Sequence, residues 1–392
     1  MSLIYLDNNG TTAVLPEVLT EMLPYFSERA GNASALHAAG RRSLSALKTA
    51  RERVSGLLGC QPGEIVFTSG GTEGNNLALI GTVNPGDHIV TSAIEHSAVL
   101  QTCSWLERRG CEVTRIGVDG QGRVNPDDVR RALRRNTRLI SIMMANNETG
   151  VLQPLEEIGA IAAEADVWFH TDAVQAAGKV PISVERIGCD LLTLTAHKMH
   201  GPQGTGALFV RRGTSLRPLF HGGHQEKGRR PGTENVAGIA GLGKACEIAL
   251  RGFADASVHR MEALRDKLEN SVLATVPQAG INGRGASRVP NTSNIFFDGV
   301  GGDSLVVALD NHGIAASRGA ACNAGESDPS GILMAMGISS ERSRSSVRFS
   351  LGKLNTEAEI DQLIEVLPET VRRLRAAHSF VDPAFSAVGE HA

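Results

Sequence analysis

The chain has 392 residues, with 39 Lys and Arg against 42 Asp and Glu and a formal net charge of -3. That length can bury a large core and favours two domains over one. The near-balanced charge gives no electrostatic ground for wrapping nucleic acid or lying on an anionic membrane, so neither is expected as a partner.

No run approaches the roughly 20 apolar residues that span a bilayer, and the opening "MSLIYLDNNGTT" lacks the basic and apolar regions of a signal peptide. Both features read as a cytoplasmic protein. The six cysteines, Cys60, Cys103, Cys111, Cys189, Cys246 and Cys322, form no CxxC pair and no metal-ligand spacing. A zinc site or disulfide framework is therefore not expected.

Over the first two thirds, apolar runs of strand length alternate with helical stretches, the pattern of a mostly parallel sheet covered on both faces. Ligands of such sheets sit beyond the carboxyl ends of the strands, so the residues after each run form a set. In chain order, "EIVFT" leads to "SGGTEGNN", "HIVTSAIE" to His96, "RLISIMMA" to "NNETG", "VWFHT" to "DAVQ", and "LLTLTA" to His197 and Lys198. Five strand ends are expected to converge on one crevice.

Each of these groups has a plain structural role and a chemical one. Gly70, Gly71 and Thr72 can be a turn and cap, or can present free N–H groups and a hydroxyl to a phosphate at a helix N-terminus. No GK[ST] follows, so this is not a nucleoside triphosphate loop. His96 can cap a helix, or stack on a flat ring while remaining able to move protons. Asp172 can close a turn, or hold a pyridine nitrogen protonated, which makes that ring an electron sink. Lys198 can be a surface cation; desolvated at the mouth of a sheet, it can form a Schiff base with an aldehyde. Phosphate loop, imidazole, ring carboxylate and lysine in this order are what pyridoxal phosphate requires.

At this point the chain resembles the NifS/IscS group of cysteine desulfurases, members of the class V aminotransferase family with the fold type I of pyridoxal phosphate enzymes. The likeness runs from "YLDNNGTT" through "GNASALHAAG", "FTSGGTEGNN", "ANNETGVLQP", "HTDAVQAAGKVP", "AHKMHGPQGTGALFVRRGT", "GGHQEKGRRPGTEN", "PNTSNIFF" and "SRGAACNAGESDPSGILMAMG" to "SVRFSLG". The resemblance implies an α/β fold, with a mainly parallel seven-stranded sheet in a large cofactor domain and a smaller α/β domain. The large domain is expected over 12–255, and the small one over 256–375 joined by 1–11. The amphipathic run "HRMEALRDKLENSVLATV" would be its entry helix, and 376–392 a loose tail.

The resemblance assigns Lys198 to the cofactor aldehyde, Asp172 to the pyridine nitrogen, Gln175 to the phenolic oxygen and His96 to the ring face. Gly71, Thr72, Thr195 and His197 would hold the phosphate, with Thr233 of a neighbouring subunit, which implies a homodimer, and Ala196 would also contact the cofactor. Asn147 and Arg348 would hold the substrate carboxylate, to which a guanidinium fork is suited. Cys322 lies in a small-residue, glycine-rich segment that reads as a loop. The family places its persulfide-forming cysteine there, and the Arg-x-Gly-His-His-Cys signature of the shorter-loop branch is absent.

The implied activity converts L-cysteine to L-alanine and leaves a persulfide on Cys322 for an acceptor such as an iron-sulfur scaffold, with Cys322 a conceivable shared cluster ligand. The alternatives are a selenocysteine lyase or transaminase, which would not need Cys322, and a sulfur-relay scaffold without catalysis. Two departures stand out. Arg318, where the family usually reads Ser-Gly-Ser-Ala-Cys, is expected either to favour the Cys322 thiolate or to point outward toward the acceptor. Gly10 replaces an alanine and is expected to alter local packing only.

Overall fold

The computed structural model describes residues 3–319 and 328–381. Its strands are β1 (Ile4–Tyr5), β2 (Ile65–Thr68), β3 (His88–Ser92), β4 (Glu112–Ile116), β5 (Thr137–Ser141), β6 (Trp168–Asp172), β7 (Leu191–Thr195), β8 (Gly206–Val210), β9 (Ala279–Ile281), β10 (Thr292–Phe297), β11 (Ile314–Ala315) and β12 (Ser346–Ser350). Seven of them form one sheet in the order β2-β8-β7-β6-β5-β3-β4. β8 runs antiparallel to both neighbours and all other pairs are parallel.

β3, β6, β7 and β8 are buried almost throughout, because helices cover both faces of the sheet. From β3 the chain passes to β4 on one side and to β5 on the other. The strand order therefore reverses at β3, and a crevice opens there beyond the carboxyl ends. Two long helices, Ala38–Leu58 and Val236–Gly252, pack together beside this sheet. Gly243 allows the approach, since a Cβ there would lie 2.6 Å from the Cα of Ala50.

β9, β10 and β12 form an antiparallel sheet, and β1 pairs in parallel with β11. Helices Ser257–Thr275 and Glu357–Val381 cover this region with a separate core that includes Leu6, Leu268, Phe297, Val347, Phe349 and Leu363. The C-terminal helix runs on to Val381, so 376–381 are helical rather than the start of a loose tail. One turn earlier, Arg372 and Arg373 both pair with Glu369, at 2.7 and 2.6 Å.

The N-terminal arm links the two regions. Asp7 bridges to Ser350, and the Asn8 amide donates to the Ser350 carbonyl at 2.9 Å. The Thr12 N–H then donates to the His197 carbonyl at 2.9 Å, which lays Asn9 and Gly10 across the turn that holds Lys198.

Candidate active site

The polar strand ends do meet. One cavity of about 530 Å³ is lined by Gly71, Thr72, His96, Asn147, Asp172, Gln175, Thr195, His197, Lys198 and Arg348, together with Asn9, Gly10, Asn75, Glu95, Glu148 and Gly319. Ala196 is fully buried and packs against Gly201 away from this wall, and Thr233 is exposed elsewhere. Cys322 lies outside the described residues.

Helix Gly71–Thr82 begins at the end of β2, with Gly70 at its N-cap in a backbone conformation, φ 155° and ψ -172°, that essentially only glycine adopts. No side chain caps this helix, so its first amides are not claimed by a capping group. β8 presses on the same turn. A Cβ on Gly206 would lie 2.8 Å from the Cα of Gly70, so two glycines allow the loop to sit against the sheet.

Asp172 closes β6 and does two things at once. Its Oδ1 accepts from the Val174 N–H at 2.9 Å, making the turn, and its Oδ2 accepts from the Asn75 amide at 2.6 Å. Burial pushes its carboxyl above the usual range, against the pull of the Val174 N–H, His96, Asn75 and Lys198. A buried carboxylate whose hydrogen bonds come from neutral donors is suited to a cationic ring N–H.

His96 is likewise both cap and cavity wall. Its Nδ1 accepts from the Ala98 N–H at 3.0 Å and starts helix Ser97–Glu107, which leaves the proton of the neutral ring on Nε2. His197 is held neutral: burial, then Lys198 and Lys179, push it down to about 4. Lys198, in the turn after β7, donates from Nζ to the Asn9 carbonyl at 2.5 Å and to the Gly10 carbonyl.

Arg348 stands on β12 and is 2 % exposed, so it is no surface strand residue. Its Nη2 donates to Asp7 Oδ1 at 2.6 Å and its Nη1 to the carbonyls of Asn147 and Gly319, at 3.0 and 3.3 Å. Arg348 Nε and Asn147 Oδ1 are both buried without a hydrogen-bond partner among the described residues. Unsatisfied polar atoms of this kind in a cavity wall point to a ligand.

Arg318 donates to Asp303 Oδ2 at 2.8 Å and to the Asp328 carbonyl at 3.1 Å. Its charge is thus paired, and it ties Asp328 to the strand end that precedes Gly319. Gly10 touches more than expected: a Cβ there would come 2.6 Å from Asp7 Oδ2, the carboxylate that holds Arg348.

The five cysteines within the described residues are poor nucleophiles. Burial pushes Cys60, Cys103, Cys189 and Cys246 up to about 12 and raises Cys111 as well. No group of three or more His, Cys, Asp or Glu among the described residues could hold a metal ion. No helix there is long and apolar enough to cross a membrane.

Asn9, Asn75, Glu95, Glu148 and Lys179 carry this site without having been singled out from the sequence. Asn75 had a signal, since it follows Gly71 by one helical turn and so shares its face. Glu95 precedes His96, but its burial was not visible. It is 2 % exposed, and burial pushes it up to about 8.

The aminotransferase class-V family matches residues 4–363. A cysteine desulfurase of Trichormus azollae is 48% identical over 383 residues, covering 97% of this chain and 96% of that protein. Among solved structures, a NifS-like protein matches 96% of this chain and 100% of its own, with a TM-score of 0.86 and 36% identity. SspA in complex with cysteine, also 36% identical, matches 90% of this chain and 100% of its own with a TM-score of 0.79.

Proposed function

We propose, from the premise that this chain belongs to the class-V aminotransferase family and is a cysteine desulfurase within it, that the crevice binds pyridoxal phosphate and L-cysteine and that Cys322 receives the sulfur. One observation carries this: Lys198, the buried Asp172 and the half-satisfied Arg348–Asn147 pair line a single cavity.

The residues fit the cofactor. The uncapped start of helix Gly71–Thr82, with Thr72, Thr195 and His197, suits the phosphate; Asp172 suits the ring nitrogen, His96 the ring face and Gln175 a ring oxygen. Bound there, pyridoxal phosphate supplies an aldehyde carbon for an amine and a ring that withdraws electrons from the substrate.

The chain does the rest. Arg348 Nε and the Asn147 Nδ2–H group donate to the substrate carboxylate and turn the Cα–H toward Lys198, whose Nζ takes that proton. Asp172 stays ionised against a ring cation, which offsets the effect of its burial. The Cys322 thiolate bonds to the substrate sulfur as the carbon–sulfur bond breaks, the bonding pair stays with the substrate carbon, which takes up a proton, and one alanine leaves for each persulfide formed. Among the six cysteines it is the candidate because the other five are held protonated.

The large domain is assigned to 12–255 and the small one to 1–11 with 256–375, a division that the separate core of the smaller sheets supports. A homodimer places Thr233 in the neighbour's site, and the exposed Phe26, Leu36 and Phe220 suit such a contact. The persulfide then passes to a sulfur acceptor protein such as an iron-sulfur scaffold, in the cytoplasm.

The test is alanine and sulfide release from L-cysteine with a thiol reductant, with the cofactor absorbance of wild type, Lys198→Ala and Cys322→Ser. Loss of sulfide in both variants, with the cofactor band kept in Cys322→Ser, supports the assignment. Wild-type turnover in Cys322→Ser would instead indicate a lyase or transaminase.

A further inference from the structure

Lys179 lies beyond Gln175 in the segment that leaves β6 and is only 5 % exposed. Its Nζ donates to Gln175 Oε1 at 2.7 Å and to Asn9 Oδ1 at 3.2 Å, both neutral acceptors. The charged groups that act on it, Lys198 and Arg348, are cations, and they add to burial in holding its proton affinity well below that of an ordinary lysine. Its own field reaches His197 and His200, both pushed down chiefly by burial. Among the described residues no carboxylate pairs with it, and burying an unpaired ammonium is unfavourable where an apolar side chain of equal length would not be. Packing does not account for it.

What Lys179 does achieve is to sort the ends of two amides. The oxygen and nitrogen of a carboxamide have nearly the same shape, and only their partners decide which way it points. The protonated lysine only donates, and both of its partners are amide oxygens, so Gln175 turns Oε1 toward it and Nε2 then donates to the Asn9 carbonyl at 3.0 Å. Asn9 likewise turns Oδ1 toward Lys179 and Asn291, leaving its Nδ2 to donate to Thr292 Oγ1 at 2.8 Å and to the Asn147 carbonyl at 3.2 Å. The same Asn9 carbonyl accepts from Lys198. With one Nε2 hydrogen of Gln175 on Asn9, the other is left for a ligand oxygen.

We infer that Lys179 is a positioning residue: acting through Gln175 and Asn9, it sets the hydrogen bonds that surround the Lys198 amine and presents the Gln175 N–H group to the cofactor. The inference rests on the pyridoxal phosphate reading above. Its consequence is that the protonation equilibrium at the bound cofactor depends on a lysine that touches neither cofactor nor substrate.

The experiment compares wild type, Lys179→Met, Lys179→Arg, Gln175→Ala and the Lys179→Met/Gln175→Ala double variant, each loaded with pyridoxal phosphate. The readouts are the pH midpoint of the visible cofactor band and the separate kcat and KM for L-cysteine. In Lys179→Met the midpoint rises by about one unit, because a donor and a cation are withdrawn from around the amine. Lys179→Arg returns toward wild type, and the double variant shifts no further than its larger single. An unchanged midpoint in Lys179→Met, or full additivity in the double variant, overturns the inference. If Lys179→Met does not fold, Lys179→Gln replaces it: a displaced midpoint there with Lys179→Arg near wild type supports the role, and two wild-type midpoints overturn it. A wild-type protein that takes up no cofactor would refute the reading of the site instead.

Discussion

Arg348 and Asp7 lie 341 positions apart in the chain and form an ion pair of 2.6 Å between Nη2 and Oδ1. The pair fixes the guanidinium on β12 so that Nε, buried and without a partner among the described residues, is left to the cavity. The orientation of this guanidinium therefore depends on the N-terminal arm as well as on β12.

Arg348→Lys keeps the charge but loses the fork. KM for L-cysteine should rise by roughly 10- to 100-fold, with a smaller change in kcat, as expected when an N–H group aimed by a held guanidinium becomes a mobile point charge. Steady-state kinetics with the cofactor saturating checks this. Gly10→Ala should raise KM in the same direction but less, because its Cβ displaces the Asp7 carboxylate.

His96 separates its two tasks under substitution. His96→Asn keeps an acceptor for the Ala98 N–H, whereas His96→Ala loses it and should be less stable by about 1 kcal/mol. Both should lose activity, since neither supplies the ring. Thermal unfolding and turnover measured on the two variants distinguish cap from ring; full activity in His96→Asn would remove the imidazole from the chemistry.

Glu95 predicts a pH dependence of stability. Its folded value of about 8 lies above that of the unfolded chain, so the native state holds the proton more tightly. Its contribution becomes unfavourable as pH rises from the ordinary carboxylate range through about 8, and is absent at acid pH where both states are protonated. Glu95→Gln should unfold at a higher temperature than wild type at pH 8 to 9 and at nearly the same temperature near pH 4. The measurement is a pair of thermal melts of the cofactor-free proteins; identical differences at both pH values would exclude a buried, protonated Glu95.

The thiols should divide sharply. At neutral pH, with the fold intact, an alkylating reagent should leave Cys103, Cys189 and Cys246 unmodified, since they are buried and held protonated. Cys322→Ser should then remove most of the fast-reacting fraction. Mass spectrometry of the alkylated wild type and variant reads both outcomes.

The sheet and most of the cavity were legible because the signals are local. An apolar run followed at once by a polar cluster marks a strand and its carboxyl end, and a parallel sheet brings such ends together. Asp172, His96, Lys198 and the glycine loop are all of this kind. Their double roles were legible only as alternatives, and the structure shows that His96 and Asp172 hold the local turn with one atom while facing the cavity.

The amino-acid sequence by itself thus determined the alternating architecture, the order of the motifs and the residue types at each strand end, since these depend on periodicity and near neighbours. Only the tertiary structure decided which distant groups complete the site: Asp7 on Arg348, Asn9 beneath Lys198, Asn75 on Asp172, and Lys179 between Asn9 and Gln175. Burial and hydrogen-bond partnership are properties of position in space, and residues far apart in the chain carry no local mark of which polar atoms will face one another once water has been excluded.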